Sequence, residues 1–168
     1  MNMKLAIDVY YYGTGKAKTV GIIFDKWESV EPVQIITKLT DGVNEYESGK
    51  FYKRELPCII ELLKLINMKT IDMIIIDGYV YLDKLDSYGL GMHLYNVLER
   101  EYSIIGVAKT YFHNNIAEKL YRGNSKVPLY ITSVGIEQKQ ASSFIGNMYG
   151  NYRIPKLLKI LDRETKII

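Results

Sequence analysis

From Lys4 to Tyr12 the apolar residues Leu5, Ile7 and Val9 alternate with Lys4, Ala6, Asp8 and Tyr10, and Gly13-Thr14-Gly15 follows at once. A period of two among β-formers, closed by glycines, predicts a half-buried strand running into a turn. Thr19 to Trp27 (Val20, Ile22, Ile23, Phe24) and Pro32 to Thr40 (Val33, Ile35, Ile36) share that character, so the chain should open as an antiparallel meander closed by Asp41-Gly42. The period then changes. Leu56, Ile59, Ile60, Leu63 and Ile66 recur at helical spacing, with Pro57 suited to a first turn.

Met73-Ile74-Ile75-Ile76 is a continuous apolar run ending in Asp77-Gly78, as expected of a strand buried on both faces in a parallel sheet. Leu90, Leu94, Val97 and Leu98 form a second helical stripe, and Ser103 to Val107 a further buried strand that ends at Ala108-Lys109. Leu129 to Thr132 predicts another short strand, Glu137 to Met148 a helix, and Ile154, Leu157, Leu158 and Leu161 the apolar face of a last helix. A meander followed by strand-helix-strand alternation predicts an α/β domain whose mixed sheet is antiparallel at the N-terminus, parallel beyond it, flanked by helices and centred on the first strand. In such sheets functional groups gather beyond the carboxyl ends of the parallel strands, where Asp77 and Lys109 fall.

A length of 168 residues fits one domain over 1–168, and 48% hydrophobic with 24% charged residues argues against a disordered or fibrous chain. The single cysteine, Cys58, can form no internal disulfide and has no Cys/His cluster around it, which points to a reducing compartment without structural zinc. Asp8 interrupts the N-terminus before any leader-length apolar run, and no stretch approaches the roughly 18 apolar residues of a membrane span, so a cytoplasmic protein with no membrane partner is expected. A net charge of +3 is compatible with an anionic partner without requiring one. The 15 tyrosines, against 4 Phe and 1 Trp, offer stacking faces with hydroxyls, although half-buried strand surface accounts for most of them.

Two acids end or interrupt apolar strands: Asp8 follows Leu5-Ala6-Ile7, and Asp77 follows four apolar residues. Burying an ionised carboxylate costs several kcal/mol unless a cation or donor compensates it. Either aspartate alone is explained by a strand-end cap or a nearby lysine. Two on adjacent strands repel each other, and a hard divalent cation such as Mg²⁺ relieves that repulsion. Glu55 at a helix start is ordinarily explained by the helix dipole, and Asp162, beside Lys159 and Arg163, by a solvated helix face. Ser142, Ser143 and Cys58 have no visible base partner, so nucleophilic catalysis has little support.

Several segments resemble one family over nearly the whole chain. Tyr46-Glu47-Ser48-Gly49-Lys50-Phe51-Tyr52-Lys53-Arg54-Glu55-Leu56-Pro57 resembles the pattern Tyr, two residues, Gly, four residues, Arg-Glu, one residue, Pro of the endonuclease V family. Ala6-Ile7-Asp8-Val9, Ile76-Asp77-Gly78, Gly89-Leu90-Gly91-Met92-His93-Leu94, Gly106-Val107-Ala108-Lys109 and Tyr152-Arg153-Ile154-Pro155, with Asp162 beyond, are similar to its remaining motifs in the same order. The resemblance implies an RNase H-like fold. It implies a Mg²⁺-dependent endonuclease, with Mn²⁺ as an alternative ion, acting on DNA near deoxyinosine or other deaminated bases in DNA repair, and on inosine-containing RNA as a related partner. By the same resemblance Asp8 and Asp77 are the principal metal ligands, Glu55 and Asp162 complete the acidic cluster, and Lys109 is the catalytic lysine. Tyr46 corresponds to a wedge that fills the space left by a flipped base, Gly49 and Gly78 allow close backbone approach to that base, and Arg54, Tyr79 and His93 join the nucleic-acid-binding set. After Asp77-Gly78 this chain has Tyr79-Val80 where the family usually has His and then Gly, which alters the base pocket. A nuclease-derived binding protein without catalysis, or an RNase H-like nuclease for branched or RNA substrates, are the alternatives.

Overall fold

The computed structural model describes residues 2–43, 45, 52–83 and 87–167. Among these residues seven strands are observed: β1 (Met3–Tyr12), β2 (Lys16–Phe24), β3 (Gln34–Asp41), β4 (Ile71–Asp77), β5 (Ser103–Ala108), β6 (Glu118–Leu120) and β7 (Leu129–Val134). Four α-helices accompany them: α1 (Tyr52–Leu63), α2 (Leu90–Val97), α3 (Gln138–Gly146) and α4 (Lys156–Lys166). The strands form one sheet in the order β3-β2-β1-β4-β5-β7-β6. β1, β4 and β5 are mutually parallel, while β2, β3, β6 and β7 pair antiparallel to their neighbours. This is the expected mixed sheet, an N-terminal meander joined to a parallel centre.

The middle of the sheet is β4 rather than the first strand. The displacement comes from β6, a strand of three residues with too little apolar pattern to be expected, which together with β7 extends the sheet beyond β5. Helix α1 begins at Tyr52 instead of Leu56 and carries Pro57 in its interior, and Ile66 is buried beyond its end. Proline's fixed φ suits the helix, so the cost is the missing N–H rather than a break. The second strand stops at Phe24, and Trp27 folds back to meet Phe24 edge-on and to stack on Phe144 at 4.8 Å.

Alternation along the strands divides the interior into two layers. Leu5, Ile7, Ile74, Ile76 and Ile104 pack with Ile59, Leu62, Leu90 and Leu94 of α1 and α2. Ala6, Val20, Ile22, Ile75, Ile105 and Val107 pack on the other face with Ala141, Ile145, Leu157 and Leu161 of α3 and α4. Burial on both faces explains the unbroken apolar runs in β4 and β5. No helix among the described residues is long and apolar enough to cross a membrane.

Candidate active site

The parallel register of β1 and β4 pairs Ile7 with Ile76, so the next residues, Asp8 and Asp77, lie side by side at the carboxyl ends of adjacent strands. Because Ile7 and Ile76 face α1 and α2, alternation turns both aspartates toward the α4 face. Asp77 in turn pairs with Val107 of β5, and Lys109 follows two residues later on the same side. Asp8, Asp77 and Lys109 line one cleft, whose remaining wall includes Leu158 and Leu161 of α4. Asp162, the next residue along α4, is close enough to perturb Asp8, and Glu55 of α1 is close enough to be perturbed by Asp8 and Asp77.

Crowding is visible in the ionisation of these acids. Desolvation, then repulsion from Asp77, raises the Asp8 carboxyl to about 7, although the Val9 N–H donates to its Oδ1 at 2.9 Å. Glu55 rises to about 8 through desolvation, with Asp8 and Asp77 adding repulsion. Asp77 is also raised, mainly by desolvation, against the opposing charge of Lys109. Its side chain remains 41% exposed at the cleft mouth. The Lys109 Nζ lies 3.9 Å from Asp77 Oδ2, and Lys166 Nζ lies 3.2 Å from Asp162 Oδ2. Neither Asp8 nor Glu55 has an ion-pair partner among the described residues.

These donors fit a hard divalent ion by their chemistry: carboxylate oxygens only, crowded, and in two cases lacking a counter-cation. Among the described residues no three His, Cys, Asp or Glu side chains are grouped closely enough to hold a metal ion, and the acids act on one another at electrostatic range. Asp8, Asp77, Glu55 and Asp162 are the carboxylates that could hold such an ion.

The other expected residues divide. Gly78 leaves β4 with φ +131, a conformation that favours glycine, and its Cα faces open space. Tyr79 is buried against Ala108 and Tyr130, and its hydroxyl donates to the Thr110 carbonyl at 2.7 Å; burial raises its pKa to about 12. His93 stacks on Tyr52 with ring centroids 3.7 Å apart and meets Tyr88 edge-on, and desolvation lowers its pKa, keeping the imidazole neutral near pH 7. The Arg54 guanidinium sits 3.4 Å from the centroid of the Tyr11 ring. Tyr46 and Gly49 lie outside the described residues.

Some contributors escape sequence reasoning. Arg153 donates from its guanidinium to the carbonyls of Lys109 and Pro128, which ties the segment before α4 to the lysine of the cleft. Arg122, only 6% exposed, donates to four backbone carbonyls of residues 148–153. Arg153 at least lies in a motif, whereas Arg122 stands in a stretch without periodicity and gives no signal. A basin of about 770 Å³, bordered by Tyr121, Arg122 and Lys139, contains none of the cleft residues.

The fold is an α/β domain whose mixed sheet gathers carboxylates and a lysine at the carboxyl ends of its parallel strands. The endonuclease V family profile matches residues 2–145, and the chain belongs to that family of endonucleases. No curated protein sequence matches it. Solved structures do. Endonuclease V of Bacillus subtilis is 18% identical with a TM-score of 0.78, the match covering 99% of this chain and 79% of that one. The catalytic domain of human endonuclease V is 19% identical with a TM-score of 0.79, covering 98% and 80%. Endonuclease V of Ciona intestinalis, solved with a 24mer DNA containing an inosine followed by a ribo-adenosine, is 17% identical with a TM-score of 0.81, covering 98% and 84%.

Proposed function

We propose that this chain is a Mg²⁺-dependent endonuclease, with Mn²⁺ as the other ion its donors suit. It hydrolyses a phosphodiester bond near deoxyinosine or another deaminated base in DNA, as a step of DNA repair, and accepts inosine in RNA as a related substrate. The observation that carries this is the placement of Asp8 beside Asp77, one residue beyond the Ile7–Ile76 pair of two parallel strands, where both repel Glu55 and Asp8 has no ion-pair partner among the described residues. The Ciona enzyme's complex with inosine-containing DNA supports the substrate class.

A divalent ion held by Asp8 and Asp77, with Glu55 and Asp162 beside them, would supply an activated water and neutralise charge on the phosphate oxygens. The chain's own groups do the rest. Lys109 offers its ammonium to the phosphate while Asp77 orients it. Leu158 and Leu161 wall the cleft against bulk water, which strengthens each charge interaction within it. The open backbone at Gly78 lets a flipped base approach closely, and neutral His93 presents a hydrogen-bonding ring rather than a charge. Buried Tyr79 forms a fixed wall where a polar histidine would otherwise stand. Tyr46 is assigned the wedge.

The test incubates the protein and its Asp77→Ala variant with a labelled inosine-containing oligonucleotide and Mg²⁺. The wild type should nick the strand and the variant should not; equal background nicking by both refutes the assignment. Running inosine in DNA, inosine in RNA and a branched junction side by side fixes the substrate.

A further inference from the structure

Between α3 and α4 the chain forms a shelf that the cleft chemistry does not use. The buried Arg122 guanidinium donates to the carbonyls of Met148 at 2.7 Å, Gly150 at 3.1 Å, Tyr152 at 2.6 Å and Arg153 at 3.3 Å. Charge-assisted bonds to four carbonyls hold this segment rigid without using any side chain it carries. From the shelf Tyr152 projects with 69% of its surface exposed, and the Lys159 ammonium lies 4.5 Å from its ring centroid. Beside them is a basin of about 390 Å³ bordered by Asn124, Ser125, Asn151, Arg153 and Lys159, and among the described residues no acidic side chain lines it.

Two independent links place this basin next to the cleft. Arg153 borders it and also donates to the Lys109 carbonyl. Lys159 precedes Asp162 by three residues on α4, about 4.5 Å along the helix axis and on nearly the same face. An exposed, rigidly mounted aromatic ring with a cation over it, amide and hydroxyl groups around it and no competing carboxylate suits one ligand chemistry: a base to stack and a phosphate to neutralise.

We propose that the Tyr152–Lys159 basin is a subsite for one unpaired nucleotide of the substrate strand, flanking the scissile phosphate. The base stacks on the open face of Tyr152, and Lys159 takes the neighbouring phosphate. Its place along the strand rests on the nuclease assignment above, but its test does not.

Binding of a fluorescein-labelled single-stranded deoxyoligonucleotide carrying one inosine is followed by anisotropy in EDTA, so that no strand is cut. An abasic residue is moved through the positions flanking the inosine, with wild-type protein and with Tyr152→Ala. One flanking position should weaken wild-type binding about tenfold when made abasic, while leaving the already weakened Tyr152→Ala variant unchanged. Tyr152→Phe should behave as wild type, and Lys159→Gln should flatten the slope of log affinity against log salt by about 0.7. Wild-type affinity of Tyr152→Ala, or equal loss by both proteins at every abasic position, overturns the subsite. Tyr152-dependent binding without nicking in Mg²⁺ upholds the subsite and refutes the nuclease, whereas nicking with Tyr152-independent binding does the reverse.

Discussion

Replacing Asp8 by Asn should stabilise the metal-free protein, and the gain should depend on pH in a defined way. The substitution keeps the shape and leaves Oδ1 to accept from the Val9 N–H, so the change is confined to charge. In the fold the carboxyl titrates at about 7 instead of 3.8, chiefly through desolvation and then through Asp77. Between those values the native state keeps a proton that the unfolded chain has lost, so stability falls as pH rises. The penalty opens near pH 4, grows through the window and is complete above about 7. At about 1.4 kcal/mol per pH unit it reaches about 4 kcal/mol, roughly 10 °C in melting temperature for a domain of this size. Thermal unfolding in EDTA at pH 4, 6 and 9 should therefore show matched wild type and variant at pH 4 and a widening gap above it. Mg²⁺ at pH 8 should raise the wild-type melting point and leave Asp8→Asn nearly unmoved, because binding to the folded state alone is what stabilises. Curves that coincide at pH 9, or a wild type that gains stability between pH 4 and 7, would refute the crowding argument.

Lys109→Ala should lower kcat by about 10²–10³-fold, the size of one lost transition-state donor, while denaturation midpoints stay close because its pair with Asp77 is partly exposed; unchanged turnover on an inosine oligonucleotide contradicts that role. Gly106→Ala would put a Cβ 2.5 Å from the Gly78 carbonyl and 2.8 Å from Thr132 Oγ1, so backbone beside Asp77 must shift. Urea denaturation should report a loss of about 1–3 kcal/mol, with activity falling in parallel, and a variant that unfolds like the wild type removes the clash.

Much of this arrangement is legible in the sequence because the parallel strands are buried on both faces. The Met73-Ile74-Ile75-Ile76 run has one interpretation, and its bounds, Ile71 to Asp77, coincide with β4. The acids are legible for the same reason, since a carboxylate next to such a run is conspicuous. What escapes is held by contacts without period. β6 has three residues, and its place in the sheet is fixed by pairing with β7 rather than by its own pattern. Helix α1 extends back to Tyr52 across residues that carry no apolar stripe, where Tyr52 stacks on His93 from α2. Arg122 and Arg153 bond to backbone carbonyls distant in sequence, and a carbonyl is present at every residue, so no residue-type pattern announces the partner.

The proximity of Asp8 to Asp77 is a property of register more than of either residue. Shifting β1 by one position against β4 would turn Asp8 to the α1 and α2 face and put Ile7 beside Asp77. What opposes the shift is apolar: Leu5 and Ile7 on one face and Ala6 on the other each fill a distinct layer, and a slip would invert all three. The same burial that fixes the register also desolvates the acids, so the core both builds the carboxylate pair and makes it costly without a cation. Carboxylates crowded at the ends of β1 and β4 break local consistency in the way expected where a fold gives up stability for function. It follows that substitutions restoring consistency there, Asp8→Asn foremost, should trade activity for stability, whereas apolar changes that loosen the β1–β4 register should lose both together.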